Sequence, residues 1–270
     1  MTLRTGSELY RRNRNEYDPS SGVGLSSGSM YWQFNDLWQA PTWSSIEYVS
    51  SPSNNYYGGK WKMAHYFIKR AYSQLLLSPS INKPYISIYA LSDLQTNYSS
   101  NFNLRIFSYD SLTPLYDENF KFSIESLSSK PVLAISFDEL KSVSNCTVGS
   151  NASCIVIIES TDPQIQSNFL FLNNRLADLT NLKTPILTIS NVISLNSTAG
   201  LFQIQIQTDS PALFVWLDLE TTKFTGTFSD NGFHMFHNTT TITYQTDNML
   251  VDLDDIKKYL SVKSLMNIYE

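Results

Sequence analysis

Residues 31–48 read YWQFNDLWQAPTWSSIEY, and a second run, GGKWKMAHYF, follows at 58–67. Trp32, Trp38 and Trp43 are three of the five tryptophans in the chain, and Gln33, Asn35, Asp36 and Gln39 lie between them. Rings beside amides and a carboxylate suit sugar binding: the ring packs on the C–H face of a pyranose and the polar groups take its hydroxyls. The same pattern suits a core strand followed by an aromatic packing loop, and spacing alone does not separate the two. Ser29 to Phe34 is short, aromatic and bounded by small residues, so it reads as a buried strand. Lys60 to Leu76 reads as a helix, with Met63, Phe67, Ala71 and Leu75 on one stripe. Upstream, residues 5–17 read as a helix end, because Arg11, Arg12 and Arg14 follow Leu9 and Tyr10 and cations suit a helix C-terminus. Asp18-Pro19-Ser20-Ser21-Gly22 then breaks the chain.

Beyond Pro79 the period changes to two. PYISIYAL, NLRIFSY, NFKFSIE, PVLAISF, CIVIIES and NFLFL alternate, and so do PILTISN, LFQIQIQT, ALFVWLDL and TTITYQT. Asp, Asn, Ser and Pro separate them, as in antiparallel sandwiches. There is too much of this for one seven-stranded sandwich; two fit, with a boundary near Asn181 to Thr184. DLDDIKKYL reads as a short polar helix and SVKSLMNIY as a last strand. The expected fold class is mainly β.

Composition narrows the function classes. The chain has 270 residues, 42% hydrophobic and 13% aromatic, enough for one to three cored domains. The formal net charge is -5 with no basic block, which argues against nucleic acid as a partner. Only 16% of residues are charged, and Ser, Thr and Asn fill the polar positions, a weak lean towards an extracellular or lumenal setting. No run approaches the roughly 18 apolar residues of a membrane span, and residues 1–18 lack the apolar core of a signal peptide. Cys146 and Cys154 are the only cysteines; they read as two buried thiols or, in an oxidising compartment, as a short-loop disulfide. His65, His234 and His237 lie far from them, so no metal site is expected. His234 and His237 read as strand-end surface residues and His65 as a packing residue. Sequons at Asn97, Asn145, Asn151, Asn196 and Asn238 fit glycosylation, though Asn, Ser and Thr are common enough here to produce such triplets by chance.

The two quoted runs resemble the end of the catalytic barrel in family 2 glycoside hydrolases of the beta-mannosidase type. LYRRNRNEYD (9–18) resembles the helix before that strand. ALFVWLDL (212–219), GTFSDNGFHMF (226–236) and VKSLMNIY (262–269) resemble the last immunoglobulin-like domain of lysosomal beta-mannosidases, and the cysteines of NCTVGSNASC have a counterpart there. The resemblance implies a remnant of the last β/α units of a (β/α)8 barrel over 1–78, a mannosidase Ig/CBM-like β-sandwich over 79–182, and a C-terminal immunoglobulin-fold domain over 183–270. It implies hydrolysis of terminal, non-reducing β-D-mannose in β-mannosides by a retaining mechanism, without cofactor or metal. Such a mechanism needs two glutamates about 5 Å apart. The family carries both on earlier barrel strands, so no catalytic residue is expected within this chain. Trp32 would be the platform under the mannose, with Asn35 and Asp36 shaping the loop and reaching sugar hydroxyls. Trp38 and Trp43 would pack the loop, and Glu47 is read as structural. Localisation would be lysosomal.

Two departures stand out. Relatives join EY directly to GGKWKM, whereas Val49 to Tyr57 intervenes here, polar and with one Pro, and should be a loop. In addition, a lone eighth β/α unit would have no neighbouring strands to take its backbone hydrogen bonds. The competing reading is a catalytically inactive β-sandwich piece acting as a carbohydrate-binding or scaffold module. A cell-surface adhesion module fits less well, because it has no use for the aromatic stretch.

Overall fold

A computed structural model of the chain describes residues 2–26, 28–38, 40–48, 59–179, 182–196, 198–221, 223–247 and 251–268. The insertion at 49–57 lies outside the described residues. The chain divides into two compact units, Met1–Met30 with Ile68–Leu182, and Tyr31–Phe67 with Lys183–Glu270.

The first unit opens with helix α1, Thr2–Arg12, and a two-residue hairpin, β1 (Tyr17–Asp18) and β2 (Val23–Gly24). Helix α2 spans Met63–Ala71, and the division between the units falls within it, after Phe67. It stops earlier than its apolar spacing suggests. Leu75, Leu76 and Leu77 instead begin a strand, β3 (Leu75–Asn82), all three buried. A short apolar run fits either period, and here a long-range partner decides: β3 pairs along its whole length with β4 (Tyr85–Ser92). The remaining strands are β5 (Tyr98–Ser108), β6 (Tyr116–Ile124), β7 (Ser129–Ser136), β8 (Cys154–Glu159) and β9 (Asn168–Phe171). They form a sheet ordered β3-β4-β7 and a second ordered β6-β5-β8-β9. The inward positions are Leu77, Ile88, Phe102, Leu104, Ile106, Val156 and Ile158, all nearly inaccessible. Each such residue contributes about 1.5–3 kcal/mol by burial.

Helix α3, Phe137–Ser144, leads from β7 towards β8. Ser136 caps it by accepting from the Glu139 N–H at 3.1 Å, and Asn145 closes it in a left-handed conformation. The Ser136-x-x-Glu139 spacing is the sequence signature of such a start. Just beyond, Cys146 and Cys154 are joined by a disulfide, with Cα atoms 6.1 Å apart. Both are buried against the sandwich core.

The second unit holds β10 (Leu187–Asn196), β11 (Leu201–Thr208), β12 (Ala212–Leu219), β13 (Gly226–Phe228), β14 (Phe233–Met235), β15 (Thr239–Thr246), helix α4 (Leu253–Tyr259) and β16 (Leu260–Lys263). The sheets are ordered β10-β11-β15-β13 and β14-β12-β16. The final residues form a strand only as far as Lys263; Leu265–Ile268 is a 3-10 turn. Strand β12 carries an irregularity between Ala212 and Val215, and Phe214 sits at φ 52°. After this bulge Val215, Leu217 and Leu219 are buried in the core, and Trp216 and Asp218 take the alternate positions, Trp216 half-buried and packed against that core. His234 is half-buried: its Nδ1 accepts from the Phe214 N–H at 3.1 Å. The surface position expected from its place in the strand is taken by His237 alone.

Candidate functional site

Within the second unit, residues 33–36, 44–47 and 60–62 form a minimal three-segment ladder. Asp36 N donates to Ile46 O at 2.9 Å, Ser45 N to Phe34 O at 3.1 Å, Glu47 N to Lys60 O at 3.0 Å and Lys62 N to Ser45 O at 2.9 Å. Gly59 permits the approach of Glu47 to Lys60, because a Cβ there would lie 2.0 Å from Glu47 O. Residues 29–34 do not form the buried strand expected of them; only Asn35 bridges, to Ile46. A strand needs a neighbour along its length to satisfy its backbone, and among the described residues none is there.

Asp36 holds this ladder together. Its carboxylate is buried and accepts from Lys62 Nζ at 2.8 and 3.0 Å and from the hydroxyls of Thr42 and Ser44. The Lys62, Ser44 and Thr42 hydrogen bonds hold its carboxyl well below the usual carboxylate range. A carboxylate so held is unsuited to donating a proton at neutral pH. Asn35 is exposed and donates to Asp36 O at 3.0 Å. Behind the ladder, Ser45 Oγ donates to Phe34 O at 2.7 Å, and Tyr31 Oη and His65 Nδ1 lie 2.9 and 3.0 Å from it. Ser45 is wholly buried, with its one proton on a carbonyl, so this Ser–His contact is a packing contact rather than a nucleophile and its base. His65 also lies 4.2 Å from the Trp61 ring.

The aromatic side chains do the opposite of Asp36. Trp32, Trp38 and Trp43 are 72%, 58% and 71% exposed, and Phe34 and Leu37 are open as well. Trp38 and Trp43 therefore do not pack the loop as expected. The Trp32–Gln33 peptide is cis. An open groove of about 500 Å³ is lined by Asp36, Ala40, Pro41, Glu47, Tyr48 and Lys62. Of the three residues expected to meet the sugar, Asp36 lines this groove and Trp32 and Asn35 do not. Among the described residues no cluster of three or more His, Cys, Asp or Glu side chains is arranged to hold a metal ion, and no helix is long and apolar enough to cross a membrane. Asn97, Asn145, Asn151, Asn196 and Asn238 are all exposed.

Two sandwiches together with an aromatic, polar-flanked ladder define a class, the C-terminal region of a family 2 glycoside hydrolase. The mannosidase Ig/CBM-like domain family matches residues 85–174, and the Ig-fold domain family of mannosidases matches 185–268. The chain is 36% identical to the beta-mannosidase of Capra hircus over 252 residues, which is 90% of this chain and 26% of that protein. It is 30% identical to that of Mus musculus over 270 residues, 99% of this chain and 28% of that one. The fold is similar to a crystal structure of beta-D-mannosidase from Dictyoglomus thermophilum, with a TM-score of 0.72 at 18% identity, covering 97% of this chain and 28% of that one. An exo-chitosanase from Amycolatopsis orientalis shares the fold at a TM-score of 0.62 and 15% identity, over 97% of this chain and 32% of that one. The chain belongs to the beta-mannosidase family and corresponds to its C-terminal portion, spanning about a quarter of the length of these mammalian relatives.

Proposed function

We propose that the chain contributes the C-terminal part of a lysosomal, glycosylated enzyme that releases terminal, non-reducing β-D-mannose from β-mannosides by a retaining mechanism. Both glutamates would be supplied from outside these residues. The observation that carries the reading is the stretch 31–43: three indoles stand open on a backbone fixed by a buried carboxylate. Exposed aromatic surface on a rigid support marks a binding face. In this reading Trp32 is the platform under the mannose. Asn35 and Asp36 set the loop backbone, Asp36 from beneath through Lys62. The mammalian relatives of matching sequence are beta-mannosidases, which supports the substrate class.

The test joins the N-terminal part of the goat relative to residues 1–270 and measures turnover of a synthetic β-mannoside. The joined protein should turn over substrate, and the 270-residue chain alone should not, because neither Asp36 nor Glu47 can replace the missing pair. Within the joined enzyme, Trp32→Ala should lower kcat/KM by about 2–4 kcal/mol, and Trp43→Ala by much less. A folded joined protein without activity, or equal losses for the two variants, contradicts the proposal.

A further inference from the structure

The second unit contains a half-open crevice that the mannosidase reading leaves unused. Its enclosed part is about 80 Å³. Two half-buried indoles, Trp61 and Trp216, border it and flank the ring of Tyr66 at 5.4 and 5.9 Å. Trp216 comes from the positions of β12 that alternate with its buried core residues after the Phe214 bulge; it packs partly on that core, and Asp218, two residues on, shares its face. Gly226 keeps one wall thin: a Cβ there would lie 2.2 Å from Gln245 O and 2.6 Å from Tyr244 Oη.

The rim is polar. Lys60 Nζ donates to Asp218 Oδ1 at 3.1 Å and to Leu219 O at 2.8 Å. Among the described residues the third Lys60 proton, Asp218 Oδ2 and the exposed Glu47 carboxylate make no hydrogen bond. The floor is closed by Asn231, whose amide is bonded to both Leu217 N and Leu217 O at 2.8 Å. So the groups free to meet a ligand are two carboxylate ends, one ammonium proton and aromatic surface.

That set selects by elimination. Two carboxylates against one ammonium repel an anion. A cation would meet the Lys60 ammonium as a like charge, and that ammonium already neutralises Asp218. A purely apolar ligand would desolvate the rim charges without replacing their hydrogen bonds. A neutral polyhydroxyl ring satisfies all three conditions, with C–H faces for the indoles and hydroxyls for both donors and acceptors. We propose that this crevice is a carbohydrate subsite that takes one hexopyranose ring against Trp216, with hydroxyls on Asp218, Lys60 and Glu47. Its volume admits part of one ring, with the remainder at the open mouth, and excludes a buried chain of sugars.

The experiment uses the whole 270-residue chain and D-mannose as the probe, read by saturation-transfer NMR and by tryptophan fluorescence. Binding at about 1–10 mM is expected, a typical single-ring affinity for a shallow site. Trp216→Ala and Asp218→Asn should each weaken it at least tenfold. Asp218 is solvent-accessible, so Asp218→Asn keeps the test open if Trp216→Ala fails to fold. No transfer to mannose in the folded chain overturns the proposal. So does binding that survives Asp218→Asn unchanged.

Discussion

Residues 2–48 and the two sandwiches handle polarity in opposite ways. In the sandwiches, alternate apolar residues point inward and polar ones outward. Helix α1 inverts this: Arg4, Ser7, Glu8, Arg11 and Arg12 form its buried face, and Leu9 and Tyr10 are about half exposed. The aromatic stretch inverts it again, with Asp36 buried and the indoles open. A segment that buries charge and exposes rings has its apolar side available for a larger core or a ligand, which is what the barrel-end assignment requires.

The inversion in α1 is stabilised by a dense set of hydrogen bonds within its own unit. Glu8 lies 3.3 Å from Arg4 and 3.9 Å from Arg12 and accepts from Ser78 at 2.6 Å and Asn168 at 3.2 Å. Arg4 also donates to Phe169 O at 3.1 Å and stacks over the Phe169 ring. Arg11 donates to Ala71 O at 2.6 Å and, with Arg14, pairs with Asp93. Burial pushes the guanidinium groups of Arg4, Arg11 and Arg12 down, and Glu8 and Asp93 oppose this. Removing the carboxylate would leave buried cations without compensation. Glu8→Ala should therefore have the largest effect on stability, about 3–5 kcal/mol by denaturant unfolding. A loss below about 1 kcal/mol would mean that α1 is not anchored as described.

The sandwich side of the comparison is sharpened by the disulfide. Cys146 and Cys154 are eight positions apart, and closing so short a loop restricts the unfolded chain by about 2–3 kcal/mol. Replacing both by Ser should lower stability by about that amount without touching the second unit. Peptide mapping without reduction should recover the linked pair from oxidised protein.

A smaller effect is expected where the inversion rests on one carboxylate. Asp36→Asn should lower the melting temperature at pH 5–7, less than Glu8→Ala does. The sign with pH follows from the direction of the shift. Asp36 has a depressed folded-state pKa, so its stabilisation is present above the unfolded value, about 3.9, and is lost as pH falls through the folded one. The gap between Asp36→Asn and the parent should therefore close only below about pH 4; a gap that closes between pH 5 and 7 would remove Asp36 from the role. The smallest effect belongs to the open ring. Trp32→Ala should change stability by no more than about 0.5 kcal/mol, and a large loss would mean that Trp32 is a packing residue.

Local sequence determined much of this protein. Period-two alternation marked out the long strands from PYISIYAL to TTITYQT, because a strand with one buried face must alternate. The aromatic runs carried the family, because they are long and specific. Ser136-x-x-Glu139 was there to be read as a helix start. Tertiary structure alone decided the rest, since each case turns on a partner remote in sequence. Leu75–Leu77 became a strand because Ala90 and Leu91 lie opposite. Asp36 turned inward because Lys62 reaches it from 26 positions away. The charged face of α1 turned inward because Ser78 and Asp93 meet its arginines and Asn168 meets Glu8. Trp216 was left half-buried, bordering a crevice while still packing on the core, because one residue, Phe214, adopts a conformation that shifts the register of every side chain after it. Periodicity encodes which face of an element is apolar. It carries no record of what that face, or its charged opposite, will meet.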